Sequence, residues 1–248
     1  MRDLRHFFLL VLALSWGTGG AYLMLGMLGA GLRPLGPHHP LFWFINCAPS
    51  LAAFFLAWRK SGAAGVQRLA AGLTRRFAPI WIVLALLFLP LICAARWSGI
   101  VLAAMPLLFL DIAPWGEEFG WRGFALPRLL EQMTPLAATL VLGMAWIVWH
   151  VPAFFITGIM AVRWEGFFWW ALGTMALSLV MTVLYLRANF SLLVAGIVPH
   201  AMINALAKAG LWSAAPREVL LLSAFSLVFY GLAGRSTKIF FPKPRDLS

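Results

Sequence analysis

Acidic side chains are scarce in this chain: eight in 248 residues, against nineteen Lys and Arg. Cysteine is scarcer. Cys47 and Cys93 are the only two, and both fall inside apolar runs, which argues against a disulfide framework or a Cys-rich zinc site. Long hydrophilic stretches are missing too, as are internal repeats and low-complexity linkers. One domain is therefore expected over 1–248, with a motif-bearing core at 100–207. Several catalytic signatures are also absent: no His-Glu-x-x-His zinc motif, no Gly-x-Ser-x-Gly elbow, no Walker loop. Asp111 is the sole aspartate in any apolar run, so the paired aspartates of an intramembrane aspartyl protease are not available.

What the chain has instead is apolar length. It is 62% apolar, with a mean hydropathy of +0.89, beyond ordinary soluble domains. Runs of about 20 apolar residues, each long enough to cross a bilayer, recur along it. The expected class is an all-α, polytopic membrane protein with about eight transmembrane helices. Expected spans are 7–29, 41–58, 79–95, 100–122, 136–157, 166–186, 191–207 and 217–234. The fourth is the weakest, because it contains Pro106, Asp111, Pro114 and two glutamates; were it re-entrant, seven spans would remain. The basic start (Arg2, Arg5) precedes an apolar stretch from about Phe7 to Leu28, too long for a signal-peptide core, so an uncleaved first helix is expected.

The net charge of +11 is read through topology rather than as a nucleic-acid footprint, because the bases lie in short loops between apolar runs. With the N-terminus in the cytoplasm and eight spans, fourteen bases fall inside and five outside (Arg33, Arg96, Arg163, Lys208, Arg217), as the positive-inside rule requires. Both termini are then cytoplasmic. The 59–78 loop is the most basic and is expected to lie on anionic headgroups. The partner implied by this charge pattern is the lipid bilayer, with no nucleic acid.

Against this background, charged and polar groups in apolar runs stand out. An ionised side chain at membrane depth costs at least ~2.5–3.5 kcal/mol. Glu117 and Glu118 nevertheless stand side by side, with Asp111 just upstream. On a helix, neighbours are about 100° apart, so the two carboxylates cannot face the same way. Glu118 and Arg122 are spaced i, i+4, with the acid on the favourable N-terminal side of a helical ion pair. That leaves Glu117 without a local cation and suggests a division: Glu117 for chemistry, Glu118 and Arg122 for structure. The bland alternative is one ion-pair network. His150 shares a helix face with Trp146, four residues earlier, and is either a functional group or a packed, hydrogen-bonded histidine. His200 and Asn204 are also i, i+4 and offer two donors one turn apart, as an oxyanion hole needs; interhelical polar glue is the alternative. A proline lies close to each group: Pro114, Pro152 and Pro199. Each should free a carbonyl four residues back (Leu110, Val148, Ala195), which favours a hydrated cavity where the motifs converge.

Glu117-Glu118-x-x-x-Arg122, then aromatic-x-x-x-His150, then His200-x-x-x-Asn204, in this order, resembles the CPBP family. That family holds the CAAX prenyl endopeptidases of the Ras-converting type and bacterial relatives linked to bacteriocin processing and immunity. The first and third motifs are complete; the second has Trp146 where the family usually has phenylalanine, a swap that keeps an aromatic and alters the cavity wall. The resemblance implies a CAAX prenyl protease-like bundle of eight helices and an intramembrane glutamic endopeptidase with its cavity open towards the cytosol. It also implies roles. Glu117 activates water, His150 holds and polarises it, and His200 and Asn204 stabilise the oxyanion; Glu118, Arg122 and Trp146 support the site. No cofactor or metal is expected, although Glu117, His150 and His200 would make up a His₂Glu zinc set. Substrates would be membrane-anchored and, where CAAX-like, lipidated. Two other classes stay open: a proton-coupled transporter, since buried Glu and His also build relays, and a catalytically silent immunity or scaffold protein.

Overall fold

A computed structural model describes residues 2–32, 35–36, 38–93, 111–156, 160 and 162–234. Among them there is no strand, and the chain is an all-α, polytopic membrane protein. α1 runs over Arg2–Met27, with a widened π-helical turn at Ala13–Gly17. α2 spans Pro40–Ala70 and α3 Pro79–Ile92. α4 consists of three consecutive segments: Ile112–Glu118, a π-helical stretch Phe119–Ala125, and Leu126–Leu130. α5 is Pro135–His150, followed by a 3₁₀ turn Val151–Phe154. α6 is Phe167–Arg187, α7 Leu193–Lys208 and α8 Pro216–Gly234. Five of these helices (α1, α2, α5, α6, α8) are long and apolar enough to cross a bilayer; α3 and α7 are shorter apolar helices.

The starts of the helices follow local rules. The His39 ring accepts from the Leu41 amide ahead of Pro40, and Thr134 Oγ1 accepts from the Ala137 amide ahead of Pro135. In each case a side chain satisfies an orphan amide and proline occupies the first helical position, where its missing N–H costs nothing. Asp111 caps α4 in the same way, accepting from the Ala113 amide.

Three expectations change. The fourth span was expected over 100–122. Its first part, up to residue 110, lies outside the described residues, and α4 begins at Ile112 and continues to Leu130. Pro114 therefore sits in the first turn of α4, and Pro152 in the 3₁₀ turn after α5, where the Val151 amide already donates to Val148. These two prolines begin or end helices; neither opens a mid-helix carbonyl. Pro199 does lie within α7, directly after the widened turn Leu193–Ile197. Finally, 59–70 is helical, not a loop. α2 breaks at Ser61 and Gly62, where Gly62 has φ +56°, a region open to glycine at no steric cost. The segment beyond returns under the bundle, with Leu69 against Gly123 and Gly72 against Leu192.

The core is set by α6, which packs between α5 and α8, and by close contact of α4 with α2. A Cβ on Gly120 would lie 2.5 Å from the Pro49 carbonyl, and one on Gly116 would lie 2.9 Å from the Cys47 sulfur. Gly116 and Gly120 thus form a small-x-x-x-small face that lets two backbones meet. This contact fixes the rotation of α4 and with it the directions of Glu117 and Glu118.

The two ends of the bundle differ in charge. Lys60 pairs with Asp3 at 2.9 Å, Asn189 Nδ2 donates to the Arg76 carbonyl, and Arg187 donates to the Ala233 carbonyl. With the helix directions, these contacts gather Arg2, Arg5, Arg59, Lys60, Arg68, Arg75, Arg76, Arg128 and Arg187 at one end, where Asp3 and Glu131 are the acids among the described residues. The described charges of the other end are Arg163, Lys208 and Arg217 with Asp111, Glu165 and Glu218.

Candidate active site

α4 contacts both α5 and α7, and α5 meets α7 through the Trp146 and His200 rings, whose centroids are 5.2 Å apart. Glu117, Trp146, His150, His200 and Asn204 all line one cavity of about 900 Å³. Its remaining wall is largely aromatic and apolar, with Trp16, Phe42, Trp43, Trp149, Trp170 and Trp212 among its residues.

Glu117 is buried at the cavity wall. The Trp146 indole N–H donates to its Oε2 at 2.8 Å, and its Oε1 lies 3.9 Å from His200 Nε2. Glu118, one residue on, is fully buried behind it. Its Oε1 accepts from Arg122 Nη1 at 3.0 Å and from His200 Nδ1 at 2.8 Å. Arg122 is in turn held by Ser178 Oγ at 3.4 Å and lies with its guanidinium 4.2 Å from the Trp146 ring centre. A Cβ on Gly196 would lie 3.0 Å from the Glu118 side chain, so this glycine makes room for the pair. The i, i+4 ion pair read from the sequence is present. Glu118 is not confined to that pair, because the same carboxylate oxygen also accepts from His200.

The hydrogen bonds fix ring orientations. A carboxylate or carbonyl only accepts, so the nitrogen facing it carries the proton. His200 Nδ1–H therefore points to Glu118, leaving Nε2 towards Glu117. His150 Nδ1–H donates to the Trp146 carbonyl at 2.9 Å, leaving Nε2 as a lone pair. The His150 ring packs against Trp149 and Trp170, with centroids 4.6 and 5.1 Å away.

Asn204 is held by a residue to which the sequence reading gave no role. Asn204 Nδ2 donates to Asp111 Oδ2 at 3.0 Å, and Lys208 Nζ donates to the same oxygen at 3.0 Å. One amide N–H of Asn204 is thus occupied and the second is not accounted for by this bond. The i, i+4 spacing of Asn204 and Lys208 signals that they share a face, but their common partner lies 93 residues away.

Among the described residues no group of three or more His, Cys, Asp or Glu side chains is placed to hold a metal ion.

Arg163, Lys208, Gly210 and Ser213, exposed lining residues of the cavity, are at the end away from the nine clustered bases, while Trp16, exposed in the middle of α1, also lines it. α4, α5 and α7 place their catalytic-type residues towards the end away from those bases.

Residues 97–206 match the family described as type II CAAX prenyl endopeptidase, Rce1-like. Over 108 residues the chain is 30% identical to a protein of Methanococcus maripaludis named CAAX prenyl protease 2. That alignment covers 40% of this chain and 39% of the relative, so it spans about two fifths of the relative's length. With the three ordered motifs brought together on one cavity, this part of the chain is similar to the type II CAAX prenyl endopeptidases.

Proposed function

We propose that this protein is an intramembrane endopeptidase that cleaves membrane-anchored, lipid-bearing peptides with a glutamate-activated water. The observation that carries the reading is the convergence of Glu117, His150, His200 and Asn204, from three helices, on the wall of a single apolar cavity. The printed name of the archaeal relative makes prenylated CAAX-type peptides the first substrates to test.

In this mechanism Glu117 takes a proton from a water molecule, and the resulting hydroxide attacks the scissile carbonyl carbon. His150 Nε2, a lone pair, accepts the other water hydrogen and orients the nucleophile. The oxyanion is met by Asn204 and His200. His200 can donate from Nε2 only as an imidazolium, since Nδ1–H is given to Glu118, and the two glutamates flank that form. Collapse of the intermediate breaks the C–N bond, and Glu117 returns its proton to the leaving amine. Trp146 holds the Glu117 carboxylate through its indole N–H, and Arg122 and Glu118 hold His200. The N- and C-termini are assigned to the cytoplasm on the distribution of bases.

The test is turnover of a lipidated reporter peptide by detergent-purified protein, compared with Glu117→Gln. Glutamate-dependent cleavage supports the reading. Equal turnover by the variant, or none by the parent on any lipidated or unlipidated peptide, refutes it.

A further inference from the structure

We propose that Asp111 is a positioning residue of the oxyanion site, orienting the Asn204 amide with its carboxylate while Lys208 cancels the charge. The inference rests on the proteolytic reading for what Asn204 does, and goes beyond it in giving Asp111 and Lys208 a part in the reaction.

Asp111 stands immediately before α4, six residues ahead of Glu117, and is buried. Its two oxygens have separate tasks. Oδ1 accepts from the Ala113 amide at 3.2 Å and caps the helix that carries Glu117. Oδ2 reaches α7, where it accepts from Asn204 Nδ2 and from Lys208 Nζ, both at 3.0 Å. Asp111, Asn204 and Lys208 all line the cavity that holds Glu117, His150 and His200. An i, i+4 pair on α7 and the cap residue of α4 thus meet at one carboxylate oxygen in the wall of the site.

The first consequence is orientation. A half-turn about the last torsion of an Asn side chain exchanges its acceptor oxygen with its NH₂ group. A carboxylate only accepts, so Asp111 holds the NH₂ setting and excludes the reverse, in which two oxygens would face each other. One N–H of Asn204 goes to Asp111. The second is locked in the amide plane as the donor for the oxyanion, and a donor fixed in advance needs no reorganisation when charge develops. The second consequence is charge. An unpaired carboxylate bonded to the oxyanion donor would oppose the negative charge that forms there. Lys208 shares Oδ2 with Asn204, so the three side chains together are neutral. Within the ion pair Asp111 is buried and Lys208 exposed, so the lysine can be replaced without opening the core.

The test is kinetic, on the full chain purified in detergent with a lipidated reporter peptide, and with unfolding midpoints measured in parallel. Asp111→Ser keeps a good helix cap but has no second oxygen to reach Asn204. Its kcat should fall about tenfold or more, with KM within about twofold of the parent. Asp111→Asn keeps an acceptor for Asn204 and should retain kcat to within about threefold. Lys208→Met leaves the buried carboxylate uncompensated and should lower kcat severalfold; adding Asp111→Asn to it should restore most of that loss. A mere staple between α4 and α7 could not give this recovery, because the double variant has no more of the ion pair than the single one. The proposal is overturned by parental kcat in Asp111→Ser, by a loss that appears in KM alone, or by a double variant no more active than Lys208→Met. If Asp111→Ser does not fold, the Lys208→Met comparison decides alone. A parent with no glutamate-dependent cleavage overturns the proteolytic reading together with this one. Cleavage abolished by Glu117→Gln but indifferent to Asp111 and Lys208 overturns this one alone.

Discussion

Behind Glu118 the protein is closed, and in front of Glu117 it is open. The Glu118 carboxylate sits among Arg122, Ser178, His200 and the backbone of Gly196, with no exposed surface. The Glu117 carboxylate, equally deep, has one strong protein partner, the Trp146 indole, and otherwise faces a cavity of about 900 Å³. Two identical side chains, adjacent in sequence and buried alike, therefore have different surroundings. Burial alone does not mark a catalytic acid. What separates the pair is access: Glu118 Oε2 is buried with no hydrogen-bond partner among the described residues, whereas the Glu117 carboxylate faces the cavity, which water and a substrate can enter. His200 joins the two regions, with Nδ1 in the closed one and Nε2 at the edge of the open one.

The largest effect that this contrast predicts is at the open side. Glu117→Gln keeps the volume and an oxygen for Trp146 but removes the base, so the reporter kcat should fall by about 10²–10⁴-fold or more. Thermal stability in detergent should stay close to that of the parent. A large loss of stability with little loss of activity would reverse the roles of the two glutamates.

The closed side should respond in stability. Arg122→Ala strands a buried carboxylate and should cost about 3–5 kcal/mol, read as a lower unfolding midpoint in detergent. Glu118→Gln keeps one acceptor oxygen, so its stability loss should be smaller than that of Arg122→Ala. Because Glu118 also orients His200, the turnover of the folded Glu118→Gln fraction should fall as well. An Arg122→Ala protein as stable as the parent would show that the pair contributes nothing, and normal kcat in Glu118→Gln would remove Glu118 from the positioning of His200.

How much of this was legible in the sequence follows from the range of each contact. Glu118 with Arg122 and His150 with the Trp146 carbonyl are i, i+4 pairs, set by helix geometry once a helix is granted. The residues that meet at the cavity could be listed from their motifs, since charged and polar groups in apolar runs are costly to keep. Contacts between helices were not legible. The Glu118–His200 bond, the Asp111–Asn204–Lys208 group and the Trp146 bond to Glu117 depend on how α4 is rotated. That rotation is set by Gly116 and Gly120 against α2, a glycine spacing visible in the sequence but without a visible partner. The count of bases was legible too.

A smaller effect is expected where the chain departs from the usual family pattern. Trp146→Phe keeps an aromatic face towards Arg122 but loses the N–H given to Glu117. A hydrogen bond to a charged group is worth ~1.5–3 kcal/mol, and water in the cavity can replace part of it. A drop of roughly tenfold in kcat is expected, equivalent to ~1.4 kcal/mol, with KM and unfolding midpoint nearly unchanged. An unaltered kcat would mean that the indole serves only as packing, and a collapse in stability would move Trp146 from the open region to the closed one.

The smallest effect expected is that of chelators, and it sharpens the contrast most cheaply. A His₂Glu zinc site would need Glu117, His150 and His200 to turn donors towards one point. The closed region has already taken His200 Nδ1 through Glu118, and α5 has taken His150 Nδ1 through its own carbonyl. Both Nε2 atoms remain as donors, but no three-residue donor group assembles among the described residues. Incubation with EDTA or phenanthroline should therefore leave reporter turnover unchanged, and elemental analysis of the purified protein should find well under one zinc per chain. Inhibition by both chelators, reversed by zinc and not by magnesium, would show that the open region rearranges around an ion. In that case Glu117 would be a ligand, and the division of labour between the two glutamates would have to be drawn again around the metal.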